Sequence, residues 1–162
     1  MNKEMLNQLY RYGISLTNNE ANAFDLVQSA IEKYLIKKPG EPVSLKYIRK
    51  IMRNQFIDQC RRNNIIPFEP LDDHAPLLST THELESMVID HVYIHQVMDE
   101  LTTLEREVLF LWAVEEHTAQ EIADELQAPR NTILSRLFRV KRKARDIITR
   151  LDRNSGVKEA ES

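Results

Sequence analysis

The residues best suited to do chemistry lie between Thr118 and Arg145, in the run TAQEIADELQAPRNTILSRLFRVKRKAR. From Arg130 to Arg153 there are 9 bases against 2 acids, whereas the stretch just before carries Glu105, Glu107, Glu115, Glu116, Glu121, Asp124 and Glu125. A polarity of that kind aims one segment at a polyanion. On a helix, Arg130, Asn131, Leu134, Ser135, Phe138, Arg139, Lys141 and Arg142 share the face opposite an apolar seam. A helix lying in the major groove reads base edges from its first turns and holds phosphates farther along. Ser135 and Arg139 are therefore base-reading candidates, Arg being the commonest bidentate partner of guanine. Phe138 is placed to meet a thymine methyl, and Arg136, Lys141, Arg142 and Arg145 to neutralise phosphates.

Two other constellations carry less. His91 and His95 stand at i,i+4, a spacing that can hold zinc, but no third ligand follows at a useful distance, so no metal is expected. Cys60 sits beside Arg61 and Arg62, which could lower a thiol pKa; a buried structural thiol is the favoured reading. No nucleophile–base pair or phosphate loop is present. The expectation is a non-enzyme with no cofactor and no small-molecule substrate.

The elements that must position these side chains are helical. Gly is limited to 3 residues and alternating β-branched runs are absent, so an all-α fold is expected. Helices are predicted over Lys3–Leu16, from Asn18 or Asn19 to Ile36, Ser44–Arg62, Glu83–Glu100 and Leu104–Ala113. Their expected apolar stripes are Leu6, Leu9, Tyr10 and Gly13; Phe24, Val27, Ile31 and Tyr34/Leu35; Leu45, Ile48, Met52 and Phe56; and Leu104, Val108, Leu111 and Trp112. Gly13 costs its helix about 1 kcal/mol against Ala, which close packing of a second helix would explain. Thr118 and Glu121 fit a capping box, Ile122, Ala123 and Leu126 face inward, and Pro129 suits the start of the next helix. Ile133, Leu137, Val140, Ala144, Ile147 and Leu151 then continue the seam, completing a helix-turn-helix.

Charge is partitioned along the chain. Residues 1–66 hold 11 Lys/Arg and 6 Asp/Glu, residues 67–100 hold 8 acids and no Lys or Arg, and the net charge is −3. Residues 65 to about 82 carry prolines and acids without helical period and read as an extended acidic linker. No window approaches the roughly 18 apolar residues of a membrane span, and the polar N-terminus is not that of a signal peptide. A single cysteine excludes an internal disulfide and suits a reducing cytosol.

The run LTTLEREVLFLWAVEEHTAQEIADELQAPRNTILSRLFRVKRKAR resembles the fourth conserved region of bacterial sigma factors, the extracytoplasmic-function (ECF) group especially. LYRYGISLTNNEANAFDLVQSAIEKYL resembles the start of their second region, and IRKIMRNQFIDQCRR is similar to their promoter-melting segment. The resemblance covers roughly residues 6–150 in the family's order. It implies two small helical domains, a region 2 bundle over 1–64 and a region 4 helix-turn-helix domain over 86–153. An acidic linker over 65–85 joins them and a disordered tail follows over 154–162.

The implied job is that of an alternative sigma factor, which binds core RNA polymerase and directs promoter recognition, DNA melting and initiation. The rival reading is a stand-alone dimeric helix-turn-helix regulator; a third is a pure interaction module. The resemblance assigns Asp25, Leu26, Val27, Gln28 and Glu32 to core polymerase. It assigns Lys37, Lys38, Tyr47, Arg49, Lys50, Arg53, Asn54, Asp58, Arg61 and Arg62 to the minus-ten element, with the KKPGEPVS loop over an unstacked base. Arg130, Asn131, Thr132, Leu134, Ser135, Arg136, Phe138, Arg139, Lys141 and Arg142 fall to the minus-thirty-five element. It further implies promoter DNA and an anti-sigma factor as partners, no membrane insertion, and a cytoplasmic location in which that anti-sigma partner can hold the chain at the membrane.

The chain departs from the family pattern at four positions. Gln127 stands where Gly is usual after Leu126, so a left-handed turn there carries about 1 kcal/mol of strain. Leu134 stands where Lys or Arg is common, Ser29 where an acid is usual, and Tyr47 where Trp is common.

Overall fold

The Asn18-Asn19 dipeptide shows how local chemistry sets the architecture. In the computed structural model, which describes residues 1–65 and 94–160, Asn18 ends helix α1 (Lys3–Thr17) and Asn19 starts α2 (Glu20–Lys37). Asn18 adopts φ 49°, a left-handed conformation Asn tolerates well, and its N–H reaches Ile14 O at 2.8 Å. The Asn19 side chain accepts from the Asn22 N–H at 2.9 Å, satisfying an orphan amide of the new helix. The chain reverses in two residues, and α1 lies against α2. Gly13 marks their close approach, because a Cβ there would come within 3.2 Å of both the Cβ and the carbonyl oxygen of Ala23.

Helix α3 (Leu45–Arg62) is capped by Ser44, whose hydroxyl accepts from the Tyr47 N–H. The loop between α2 and α3, residues 38–44, is pinned at both ends, as described below. Leu9, Tyr12, Leu16, Ala23, Leu26, Ala30, Tyr34, Ile48 and Met52 form the core of these three helices. Gln55 of α3 donates to the Ser29 hydroxyl of α2 at 2.9 Å, so Ser29 serves as an interhelix acceptor.

Among the described residues four further helices follow: α4 (Ile94–Glu100), α5 (Thr103–Ala113), α6 (Ala119–Leu126) and α7 (Arg130–Ala160). The chain divides into two compact units, whose described parts are 1–65 with 102–110, and 94–101 with 111–160. Residues 102–110 enter the first unit through charge as well as apolar packing. Glu107, fully buried, accepts from the Tyr12 hydroxyl at 2.6 Å and from Arg53 Nε at 2.9 Å. Arg106 Nε donates to Ser15 O at 2.9 Å, near the end of α1, where helix carbonyls lack intrahelical partners. The Tyr12 and Phe110 rings lie 5.7 Å apart. Thr102 and Glu105 cap α5 reciprocally, backbone to side chain in both directions, a capping box that the sequence carries in plain sight.

The second unit is closed by the seam of α6 and α7. Ile122, Ala123 and Leu126 are buried against Ile133, Leu137, Val140, Ala144 and Ile147. Arg150 of α7 pairs with Glu100 of α4. Helix α7 continues to Ala160, through the first residues of the stretch expected as a tail, because no proline interrupts it after Pro129. Most of the acidic linker, the predicted helical residues 83–93, and His91 lie outside the described residues.

The stripes of α1 and α2 depart in part from expectation. Phe24 and Leu35 are 61% and 55% exposed, and the inward positions of α2 are Ala23, Leu26, Val27, Ala30 and Tyr34, of which Val27 and Tyr34 were expected. In α1, Leu6 is exposed and Tyr12 and Leu16 are buried in its place. Among the described residues, no helix is long and apolar enough to cross a membrane.

Candidate nucleic-acid interface

The turn that presents α7 is built from three local devices. Thr118 and Glu121 form the expected capping box, with the Glu121 N–H on the Thr118 hydroxyl at 3.1 Å and the Thr118 N–H on the Glu121 carboxylate at 3.4 Å. His117 lies between Glu115 O and the Glu125 carboxylate, each at 3.1 Å from a ring nitrogen, which ties the preceding loop to α6. Gln127 then ends α6 at φ 54°, ψ 47°. The left-handed turn expected there is present, with Gln in a conformation that Gly adopts freely. Gln127→Gly is expected to raise stability in chemical denaturation by roughly 0.5–1 kcal/mol. A loss of stability would show that the Gln side chain contributes more than the strain it brings.

From that turn α7 presents a ridge with Asn131, Arg139 and Arg142 exposed and Ser135 half-buried between them, with Arg130 exposed at its start and no acid in its first turn. Thr132, Leu134, Arg136 and Phe138 are half-buried beside it, and Arg145 continues it toward the C-terminus. The helix N-terminus adds its own partial positive charge. The ridge thus offers a hydroxyl and a forked guanidinium in its first turns and cations beyond them, which suits a groove flanked by phosphates.

Lys141 leaves this set. It is 3% exposed, with its ammonium 3.4 Å from the centre of the Trp112 ring, where a cation gains from the ring's negative face. A group so enclosed cannot neutralise a phosphate. Burial pushes its pKa down from 10.5 to about 8. In the folded state the charged form is therefore penalised relative to the unfolded chain, so stability rises as pH increases from about 8 toward 10.5. Lys141→Met is expected to flatten that rise in thermal melts recorded across this range; an unchanged slope would assign it to other groups.

The first unit contains the second cationic face. On α3, Lys50, Asn54, Asp58 and Arg61 recur at helical spacing and are exposed, with Arg62 beside them; Asp58 and Arg61 are 4.0 Å apart. Lys37 is exposed at the end of α2, and Lys38 and Tyr47 are half-buried. Arg49 is 5% exposed and turned into the bundle, which removes it from the minus-ten set. Arg53 is half-buried with its Nε on Glu107, so it acts in the packing of the first unit.

On α2, Asp25, Gln28 and Glu32 form an exposed ridge flanked by Phe24 and Leu35. Leu26 and Val27, assigned to the same partner from sequence, are buried in the core and cannot touch one. The exposed Phe24 and Leu35, which periodicity had assigned inward, make this ridge mixed apolar and acidic. Such a surface suits a protein and repels a polyanion. Cys60 is buried, and burial pushes its thiol pKa up, as expected of a structural thiol.

Residues 91–143 match the family described as Sigma-70, region 4, a span that includes α4, α5, α6 and the first turns of α7. The chain is 29% identical over 147 residues to the RNA polymerase sigma factor SigV of Bacillus subtilis (strain 168), an alignment covering 88% of this chain and 86% of that protein. The chain thus carries a sigma-70 region 4 segment and is similar over most of its length to a bacterial sigma factor. Its fold is also that of the sigma factor RpoE from Bartonella quintana, solved in complex with the anti-sigma factor NepR: TM-score 0.64 at 20% identity, over 90% of this chain and 92% of that one. The matches are to a family of transcription initiation factors and not to an enzyme family. Leu134 and Phe138 are the half-buried apolar side chains beside the α7 ridge, and Ser29 is engaged by Gln55.

Proposed function

We propose that this chain is a sigma factor of the ECF group that binds core RNA polymerase through the α2 ridge, opens the minus-ten element with α3 and the loop before it, and reads the minus-thirty-five element with α7. The observation that carries this reading is the capped helix-turn-helix whose outer ridge places Ser135 and Arg139 ahead of Arg142. Lys37, Lys50, Asn54, Arg61 and Arg62 supply cations and a polar reader for an opened strand, and Tyr47 an aromatic face. Asp25, Gln28 and Glu32, with Phe24 and Leu35, form the polymerase-docking surface. The proposal includes a cytoplasmic protein without catalytic activity of its own. An anti-sigma protein, such as the one that accompanies RpoE in its solved complex, is proposed as a partner able to hold the chain at the membrane.

Permanganate footprinting tests the reading. On a cognate promoter, thymines of the minus-ten region should become reactive only when the chain and core polymerase are both present. Tight binding to palindromic duplex without polymerase, and no opening with it, would favour the dimeric regulator instead.

A further inference from the structure

One buried tyrosine controls both ends of the loop between α2 and α3. Tyr34 is 2% exposed. Its carbonyl accepts from the Lys38 N–H at 2.8 Å, where α2 stops. Its hydroxyl donates to Pro42 O at 2.7 Å and accepts from the Ser44 N–H at 3.3 Å, at the residue that caps α3. A single side chain therefore holds the start of α3 against the end of α2. The ring also meets Tyr47 edge-on, with centroids 5.8 Å apart.

Between these anchors the loop is held less firmly. Lys38 pairs with Glu41 at 3.3 Å on the surface and stands 6.0 Å from the Tyr47 ring centre. Gly40 takes φ 75°, with open space around it. An exposed ion pair adds little stability. Besides a turn bond from the Glu41 N–H to Lys38 O at 3.3 Å, the loop is tied to the bundle by the two hydroxyl hydrogen bonds of Tyr34, which bear on the placement of Lys38 and of the Tyr47 ring beside it.

We propose that Tyr34 is the positioning residue of the Lys38–Ser44 loop, and that through this loop it sets how strictly the chain selects the unstacked base of the minus-ten element. The proposal rests on the reading that the loop and Tyr47 meet that base. Tyr34 itself touches no DNA; its hydroxyl fixes the groups that do. Tyr34→Phe keeps the ring and its packing and removes both hydroxyl bonds, which separates positioning from core filling.

The test uses the full chain with core polymerase on forked promoter DNA selected with the wild-type protein, carrying each of the four bases at each minus-ten position. Tyr34→Phe is expected to reduce discrimination about tenfold at one position. Affinity for core polymerase and response to minus-thirty-five substitutions should stay within twofold. Hydrogen exchange on the same variant is expected to show faster exchange at the Ser44 amide, and Tyr34→Ala should lose discrimination along with fold stability. Unchanged discrimination in Tyr34→Phe, or an equal loss at every position, overturns the proposal. Replacing Pro39 and Glu41 together by glycine distinguishes the two levels. If that loop variant also leaves base preference unchanged, the reading of the loop as a base contact fails and the proposal with it. If the loop variant loses discrimination and Tyr34→Phe does not, only the role of Tyr34 fails.

Discussion

Glu107→Ala is expected to destabilise the first unit by about 2–4 kcal/mol, the largest single-residue effect outside the apolar core. The carboxylate is fully buried and accepts from Tyr12 and Arg53. Removing it leaves a buried hydroxyl without that acceptor, a guanidinium without its counter-charge, and a small cavity. The figure lies below the full range for breaking a buried pair because the Arg53 side chain is 24% exposed and can turn toward water. Glu107→Gln, which preserves shape and an acceptor oxygen, should lose roughly half as much. Urea denaturation of the three proteins checks this, and a loss under about 1 kcal/mol for the alanine variant would mean that Tyr12 and Arg53 find other partners.

Arg139→Ala is expected to weaken binding by about 1–3 kcal/mol and to relax preference at one base pair of the minus-thirty-five element. Arg142→Ala should weaken all sequences alike and lower the salt slope of binding by about one. Lys141→Met supplies the contrast. Its side chain is buried over Trp112, so it should change neither base preference nor salt slope. Holoenzyme binding to a minus-thirty-five library at several salt concentrations measures all three. Equal losses across every sequence for both arginine variants would contradict the assignment, and a reduced salt slope for Lys141→Met would return that lysine to the phosphate-binding set.

What could be read from sequence was mainly what is local. The Thr118–Glu121 box, the cap at Asn19, the strain at Gln127 and the close approach at Gly13 all follow from residues a few positions apart or from one residue's conformational limits. The outer ridge of α7 was legible for the same reason, since i,i+4 spacing on one helix fixes which side chains share a face. Glu107 stands in sequence as one of several acids before the basic helix, and its partners, Tyr12 and Arg53, lie 95 and 54 residues away. No periodicity signals a partner at that separation. Lys141 was misplaced for a different reason. It stands four residues after Leu137 and three before Ala144, on the buried seam, yet its charge was read as exposure. On α2, Ala23 and Phe24 compete for the inward position. The larger side chain looked like the core residue until close approach at Gly13 favoured the small one.

On the function proposed, this chain makes core polymerase start at promoters selected by both helical faces. Run-off transcription from a genomic fragment library, with core polymerase alone or with the added chain, tests it most directly. The expected result is a set of start sites that appear only with the chain, share two sequence elements upstream, and disappear when Asp25 and Gln28 are both replaced by Lys. Identical transcripts with and without the chain would contradict the claim.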